Sequence, residues 1–377
     1  MRIGIEAQRL LRPHKHGMDI VALELLKHLQ QLDQVNEYFV FVKPDADRAV
    51  LPAAPNFHLV EVPGGPYPYW EQVLLPRAAR RTGVQLLHCT SNTAPLRPGV
   101  PLVLTLHDII YLEKLDLRRG SWYQRAGNLY RRWNVPRVVP HCARVLTVSA
   151  FERARIEQQL PGPAPVEVVY NSAGAQFRPI TDAAALAAAR ARYRLPARFV
   201  FFLANTDPKK NLRGVLQALA LLRQRGPLVA PLVMLDYDEA ALLALLRELG
   251  APELRADIHL CGYVPNQELP LLYSLAEIFL YPSLRESFGI PILEAMACGV
   301  PVITSDTSAM PEVAGGAALL VDPRQPEALA AAILRLQNDP AERAALIGRG
   351  YERIGHFSWL ATAQQVQRMY ESIINEQ

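Results

Sequence analysis

Two carboxylates, Glu286 and Glu294, flank a short loop in the string Arg285-Glu286-Ser287-Phe288-Gly289-Ile290-Pro291-Ile292-Leu293-Glu294. Pro291 suits a first helical turn, where its missing N–H is not needed, and Gly299 suits the left-handed residue that closes a helix. The chain therefore reads as loop, helix, stop and then a short apolar strand over 300–304. Backbone N–H groups at Phe288, Gly289 and Ile290 stand at the helix N-terminus, where the helix dipole favours an anion. A phosphate on those amides leaves the two carboxylates to take hydroxyl groups on either side. The ligand this suits is anionic in the middle and polyhydroxylated at both ends, as a nucleotide-sugar is. For the carboxylates taken alone, a buried strand–helix unit with two solvated glutamates is the plainer reading.

Other residues can share that chemistry. An apolar strand over 199–203 leads into Ala204-Asn205-Thr206-Asp207-Pro208-Lys209-Lys210-Asn211-Leu212. Lys209 and Lys210 thus stand just ahead of a helix, placed to meet phosphate charge with their ammonium groups. In the first half, Leu104-Thr105-Leu106 delivers His107 and Asp108 to the end of a strand, although Asp there is also a common turn former. Pro13-His14-Lys15-His16-Gly17 follows the first strand; phosphate contact by Gly17 and Lys15 stands beside an ordinary solvated loop. Asp236-Tyr237-Asp238 has the spacing of a metal site. Asp238 fits better as the cap of a helix over 239–249, and no metal is expected. For Trp70 a packing role is expected.

The elements that must position these groups follow from the pattern. At 377 residues, half of them apolar and a fifth charged, the chain suits two globular domains. Apolar runs at 3–7, 38–42, 58–62, 86–89, 102–106, 144–148 and 166–170 alternate with helical patterns, the first over 18–32. That alternation predicts an α/β fold whose parallel sheet is covered on both faces, with ligands beyond the carboxyl ends of the strands. The scattered Cys89, Cys142, Cys261 and Cys298 read as reduced core residues. The N-terminus reads as a charged strand and not a signal peptide, so a cytoplasmic location is expected. Residues 1–175 hold 21 of the 40 Lys and Arg and 15 of the 36 Asp and Glu, so the positive charge gathers in that half. Arg118, Arg119, Arg125, Arg131, Arg132 and Arg137 are interleaved with Trp122, Tyr123, Tyr130 and Trp133. Residues 118–137 can lie on an anionic membrane, or form a solvated face with inward aromatics. No motif accompanies them that supports nucleic-acid binding.

The segment 285–304 closely resembles the signature of the family 4 retaining glycosyltransferases, which have the GT-B fold. The resemblance extends over most of the chain and is strongest from 258 to 323. It implies two Rossmann-like domains facing a central cleft: 1–175 on the acceptor side, 176–355 binding the nucleotide-sugar, and a helix over 356–377 crossing back. It implies that Lys210 grips the donor diphosphate with Lys209 beside it, and that Glu294 holds the ribose and Glu286 the transferred sugar. Val264, in the turn over 262–266, would lie beside the nucleobase. His107 and Asp108 would face the sugar and acceptor, and Gly17 stands where relatives carry a glycine-rich turn. Asn205 occupies the place of an arginine common in relatives, and the acidic 236–238 replaces a glycine-containing loop. The activity implied is transfer of a hexose or deoxyhexose to a glycan or lipid-linked acceptor, in cell-surface polysaccharide assembly and without a metal cofactor. Retention would proceed on the front face, the leaving phosphate accepting the acceptor's proton, or through Glu286 as nucleophile. A nucleotide-sugar epimerase and a catalytically silent sugar-nucleotide-binding subunit are the rival readings.

Overall fold

The inner strands of each sheet, three to six residues long with nearly every side chain inside, require cover on both faces, and helices supply it. The structure, a computed structural model, describes residues 1–113, 122–203 and 207–376, and the side chains of all of these except 122–124. The chain divides into two compact units, Met1–Asn171 with Ser358–Gln377, and Ser172–Phe357.

The first unit holds β1 (Arg2–Glu6), β2 (Glu37–Val42), β3 (Phe57–Glu61), β4 (Leu86–Cys89), β5 (Leu102–Thr105), β6 (Arg144–Thr147) and β7 (Val166–Val168). They form one sheet in the order β3-β2-β1-β4-β5-β6-β7, and every pairing is parallel. The chain first builds β1, β2 and β3 in one direction, then returns to place β4 on the other side of β1. Ile3, Ile5, Val40 and Leu86 pack on one face with Leu26 and Leu29 of the helix Gly17–Leu32. Phe41, Leu87, Leu104 and Val145 pack on the other face with Trp70 and Val135. The helix Trp359–Asn375 belongs to the first of these layers, which it enters with Ala363, Val366, Met369, Tyr370 and Ile373. His88 lies beneath it, with Nδ1 2.6 Å from the Tyr370 hydroxyl and Nε2 2.7 Å from Thr105 Oγ1. Burial pushes the His88 imidazole down to about 3, so it is neutral.

The second unit holds β8 (Val200–Phe202), β9 (Leu232–Met234), β10 (Ile258–Leu260), β11 (Ile278–Tyr281), β12 (Val302–Ser305) and β13 (Leu319–Val321). Their order is β10-β9-β8-β11-β12-β13, again parallel throughout. Here the direction reverses between β8 and β11. Loops leaving neighbouring strands at such a point diverge to opposite faces and open a crevice between them. The four cysteines are free. No helix among the described residues is long and apolar enough to cross a membrane.

Candidate active site

The crevice beyond β8 and β11 gathers the chemistry of the second unit. Past β8, Pro208–Lys210 forms a single 3-10 turn headed by Asp207, whose carboxylate accepts from Lys209 N. Asn211 follows with φ +64°, a left-handed conformation that Asn adopts more readily than most residues. Its side-chain oxygen accepts from Gly214 N at 3.3 Å and caps the helix Leu212–Gln224. Its amide nitrogen donates to Pro282 O at 3.1 Å and Pro323 O at 2.7 Å. Leu284 N donates to Lys209 O at 2.7 Å. These bonds tie the lysine turn to the loop after β11, and so fix Lys210 against Glu286.

The Lys210 ammonium lies 2.7 Å from Glu286 Oε1 and donates to the Tyr281 hydroxyl at 2.8 Å. Both charged side chains are largely buried, at 15% and 11% exposed. A buried ion pair loses solvation that its attraction must offset, and a lone charge left there is costly. Lys209 behaves differently: its ammonium stands 3.5 Å from Asp207 and is 37% exposed. Asn205 lies outside the described residues.

Beyond Glu286 the chain turns at Gly289, whose φ of +105° an L side chain rarely adopts. A Cβ there would also stand 3.1 Å from Ile292 Cδ1 and 3.5 Å from the Tyr281 ring. The helix Ile290–Ala297 then starts with Pro291 in its first turn, and Ile292 N donates to Gly289 O at 3.0 Å. The Gly289 and Ile290 amides precede the helix's own ladder. Phe288 contributes backbone only, because its ring is buried edge-on against Phe357 at 5.7 Å. Glu294, one turn into the helix, accepts from the Tyr273 hydroxyl at 3.1 Å, and burial pushes its carboxyl up to about 7. Gly299 closes the helix at φ +75°. Val264 is buried in the turn after β10, beside the exposed Tyr263.

Asp238 Oδ1 accepts from Ala241 N at 2.7 Å and caps the helix Glu239–Glu248. Among the described residues no group of three or more His, Cys, Asp or Glu could hold a metal ion.

In the first unit the corresponding reversal lies between β1 and β4. Glu6 ends β1 and is buried, accepting from Gln8 N at 2.9 Å and Thr90 N at 3.3 Å; burial pushes it up to about 7. His107, also buried, sits past β5 with its backbone N donating to Asn92 Oδ1 at 2.6 Å. Its Nε2 lies 2.9 Å from Thr90 O, which can only accept, so the proton is on Nε2 and Nδ1 is the acceptor nitrogen. Burial lowers its pKa, the largest influence on it, and keeps the ring neutral. A neutral imidazole with a fixed tautomer can accept a hydroxyl proton. Asp108 takes the turn-forming role, its Oδ1 accepting from Ile110 N at 3.1 Å. Gly17 opens the helix Gly17–Leu32, and a Cβ there would meet nothing within 4 Å. Lys15, weighed with it for phosphate contact, is instead engaged by Asp47 at 2.6 Å and Arg12 O at 2.8 Å.

A polar cluster that the sequence did not signal sits nearby. Glu71 is buried and accepts from Tyr67 at 2.7 Å and Tyr130 at 2.6 Å, with Thr93 also donating to it. Trp70 is buried and donates to Val62 O at 2.7 Å, which is a packing role. Of the basic stretch, residues 114–121 and the side chains of 122–124 lie outside what is described. In the helix Trp122–Val138, Arg132 turns inward to Tyr111 O and Leu112 O, while Leu129 and Trp133 are 51% and 44% exposed.

The family described as Glycosyl transferases group 1 matches residues 189–353, and that described as Glycosyltransferase Family 4 matches residues 16–176. The O-antigen chain mannosyltransferase B of Escherichia coli is 37% identical over 231 residues, 60% of this chain and 60% of that relative's length. A D-inositol 3-phosphate glycosyltransferase of Salinispora tropica is 29% identical over 400 residues, 96% of this chain and 82% of that one. Among solved structures, a sucrose-phosphate synthase from Thermosynechococcus elongatus superposes with TM-score 0.76 at 21% identity, covering 100% of both chains. The Anabaena protein Alr3699/HepE, in complex with UDP and glucose, gives 0.74 at 19% identity over 99% of this chain and 100% of its own.

Proposed function

Because the chain belongs to the GT-B glycosyltransferases of family 4, we propose that it transfers a hexose from a nucleotide-diphosphate sugar to a glycan or lipid-linked acceptor. Mannose is the sugar we favour, since relatives named as an O-antigen chain mannosyltransferase and an MMP alpha-(1->4)-mannosyltransferase match it at 37% and 30% identity. Assembly of a cell-surface polysaccharide is the corresponding role.

The observation that carries the reading is the Lys210–Glu286 pair beside the Gly289 turn. The donor's diphosphate takes the Gly289 and Ile290 amides and draws the Lys210 ammonium to itself. That stabilises the charge that grows on the leaving phosphate. Glu286, released from the ammonium, turns its charge to the transferred sugar, whose ring becomes positive as the glycosidic bond breaks. Glu294 takes the ribose hydroxyls. We favour front-face retention: the acceptor hydroxyl attacks from the side of the leaving group and passes its proton to the departing phosphate oxygen. His107, with Nδ1 as acceptor, is assigned to a hydroxyl of the sugar or acceptor. No metal takes part.

The test separates the two glutamates. Hydrogen bonds to a charged group make each substitution worth roughly ten- to 150-fold. Glu294→Gln should raise the donor's KM and weaken binding of the bare nucleotide diphosphate, leaving kcat near wild type. Glu286→Gln should lower kcat and leave binding of the bare nucleotide diphosphate at least as tight as wild type, since that ligand has no sugar and Lys210 no longer has to leave a carboxylate. Full activity in both variants overturns the assignment. Donor consumption without acceptor would point to an epimerase.

A further inference from the structure

The loop that follows β4 holds His107 at two points. The Thr90 carbonyl accepts from the ring at 2.9 Å, and Asn92 Oδ1 accepts from the backbone N–H at 2.6 Å. In the second bond a side chain replaces backbone. β4 and β5 run parallel with Cys89 opposite Leu104, and beyond that pair the ladder needs a carbonyl to receive His107 N. Asn92 N still donates to Thr105 O at 3.1 Å, as the next strand residue would. Its own backbone has turned away at φ +67°, a left-handed conformation that Asn tolerates better than most residues. The carboxamide oxygen takes the part of the missing carbonyl, so one residue grips both Thr105 and His107. An N–H can only donate, which fixes the oxygen as the atom facing it. Asn92 is 3% exposed, so water has little access to the bond. The loop is itself anchored on both sides. Thr90 Oγ1 donates to Glu6 O at 2.7 Å, Thr93 donates to Glu71, and Ala94 exchanges two bonds with the Asn134 side chain.

We propose that Asn92 is a positioning residue that sets where the His107 imidazole stands. This rests on the assignment of His107 to a hydroxyl of the sugar or acceptor. Without the Asn92 oxygen, the His107 N–H is left buried and unpaired, and the segment after β5 must shift to find another acceptor. Nδ1 moves with it. A hydroxyl that has to meet Nδ1 at hydrogen-bond distance is then misplaced, and turnover suffers. Capture of the nucleotide does not, because every residue given to the nucleotide belongs to the second unit.

Asn92→Gly suits the left-handed backbone and removes the acceptor. Its kcat should fall about five- to a hundredfold. Affinity for bare nucleotide diphosphate should stay within about twofold. Because Asn92 acts through His107, the losses must not multiply: in a His107→Ala background, Asn92→Gly should cost less than about threefold. Asn92→Asp keeps both the acceptor and the turn, so above pH 8 its kcat should lie within about threefold of wild type. Its charge joins those of Asp19 and Asp108, which already act on the ring, and favours the imidazolium. The acid-side fall of kcat should therefore begin at a higher pH than in wild type. If His107→Ala is impaired while Asn92→Gly turns over normally, or if the two losses multiply in full, the role given to Asn92 is overturned. An Asn92→Asp protein that stays slow above pH 8, or whose acid-side fall coincides with wild type, overturns it too. Those two measurements stand even if the Gly variant does not fold. If His107→Ala itself is fully active, the failure lies in the reading of the site.

Discussion

Lowering the pH through neutrality should release the donor, and the size of the effect follows from Glu294. Its carboxyl is pushed from an ordinary 4.5 up to about 7 by burial, and the hydroxyl donor facing it, Tyr273 at 3.1 Å, does not offset the lost solvation. The free enzyme is therefore about half protonated there at pH 7. Ribose hydroxyls donate to the ionised form, so the donor selects the carboxylate and binding expels the proton. Affinity for intact nucleotide-sugar should then be nearly constant above pH 8 and fall by about tenfold between pH 8 and pH 6. The intact donor is the right ligand, because the terminal phosphate of a bare nucleotide diphosphate titrates near 6 and would add its own slope. Calorimetry at pH 7 in two buffers of different ionisation enthalpy should report about half a proton released per donor bound. The same measurement on Glu294→Gln should report none, with weaker affinity that is flat in pH. A wild-type affinity that is flat from pH 6 to 8, with no proton released, would refute the assignment of Glu294 to the ribose.

The same carboxyl affects stability in the ligand-free protein. Its folded pKa is raised, so the penalty is absent below about 4.5, grows as the pH rises, and is fully present above about 7. It amounts to at most about 3 kcal/mol. Glu294→Gln should accordingly raise the melting temperature at pH 8 by several degrees and by much less at pH 5. Chelators should leave turnover nearly unchanged; loss of most activity, restored by Mn²⁺ or Mg²⁺, would return Asp236 and Asp238 to consideration. We also propose peripheral binding to anionic membrane through 118–137, at about 1 kcal/mol for each Arg near the surface. Vesicle sedimentation should show binding that requires anionic lipid and weakens with salt, and no cosedimentation at low salt would leave a solvated face.

Much of the fold was legible because it is written locally. Runs such as Leu86–Cys89 and Ile278–Tyr281 are apolar on both faces, which only a covered parallel strand tolerates. Pro291 and Gly299 mark the two ends of the helix Ile290–Ala297, and Asp238 capping is equally local. Strand order was not readable, since nothing in β4 says that it returns to the free side of β1. Partnerships across the sequence were hidden for the same reason. Lys15 looks available to a phosphate until Asp47 is found 2.6 Å away. Tyr281 reads as one more apolar strand residue, and only the fold brings Lys210 onto its hydroxyl while the same ammonium meets Glu286. Glu71 follows Trp70 in a helical stretch and carries no sign that Tyr67, Thr93 and Tyr130 will all donate to it. Charged and phenolic groups have no periodicity of their own, so their pairing is decided by topology.

The helix Trp359–Asn375 completes the first unit although the whole of Ser172–Phe357 is synthesised before it. A ribosome that has reached Phe357 has delivered every strand of both sheets. The second unit can close without that helix, for the apolar layer built on Val200, Leu232 and Ile278 lies wholly within its own segment. The first cannot: the places of Ala363, Val366, Met369 and Tyr370 are vacant, and His88 has no hydroxyl above it. Domains fold largely as units as the chain emerges, and an uncovered apolar layer invites aggregation. Folding of the second unit therefore does not depend on the helix, whereas folding of the first does. Chaperone demand should concentrate on the amino-terminal half, and a message truncated before codon 358 would yield a folded second unit joined to an incomplete first one.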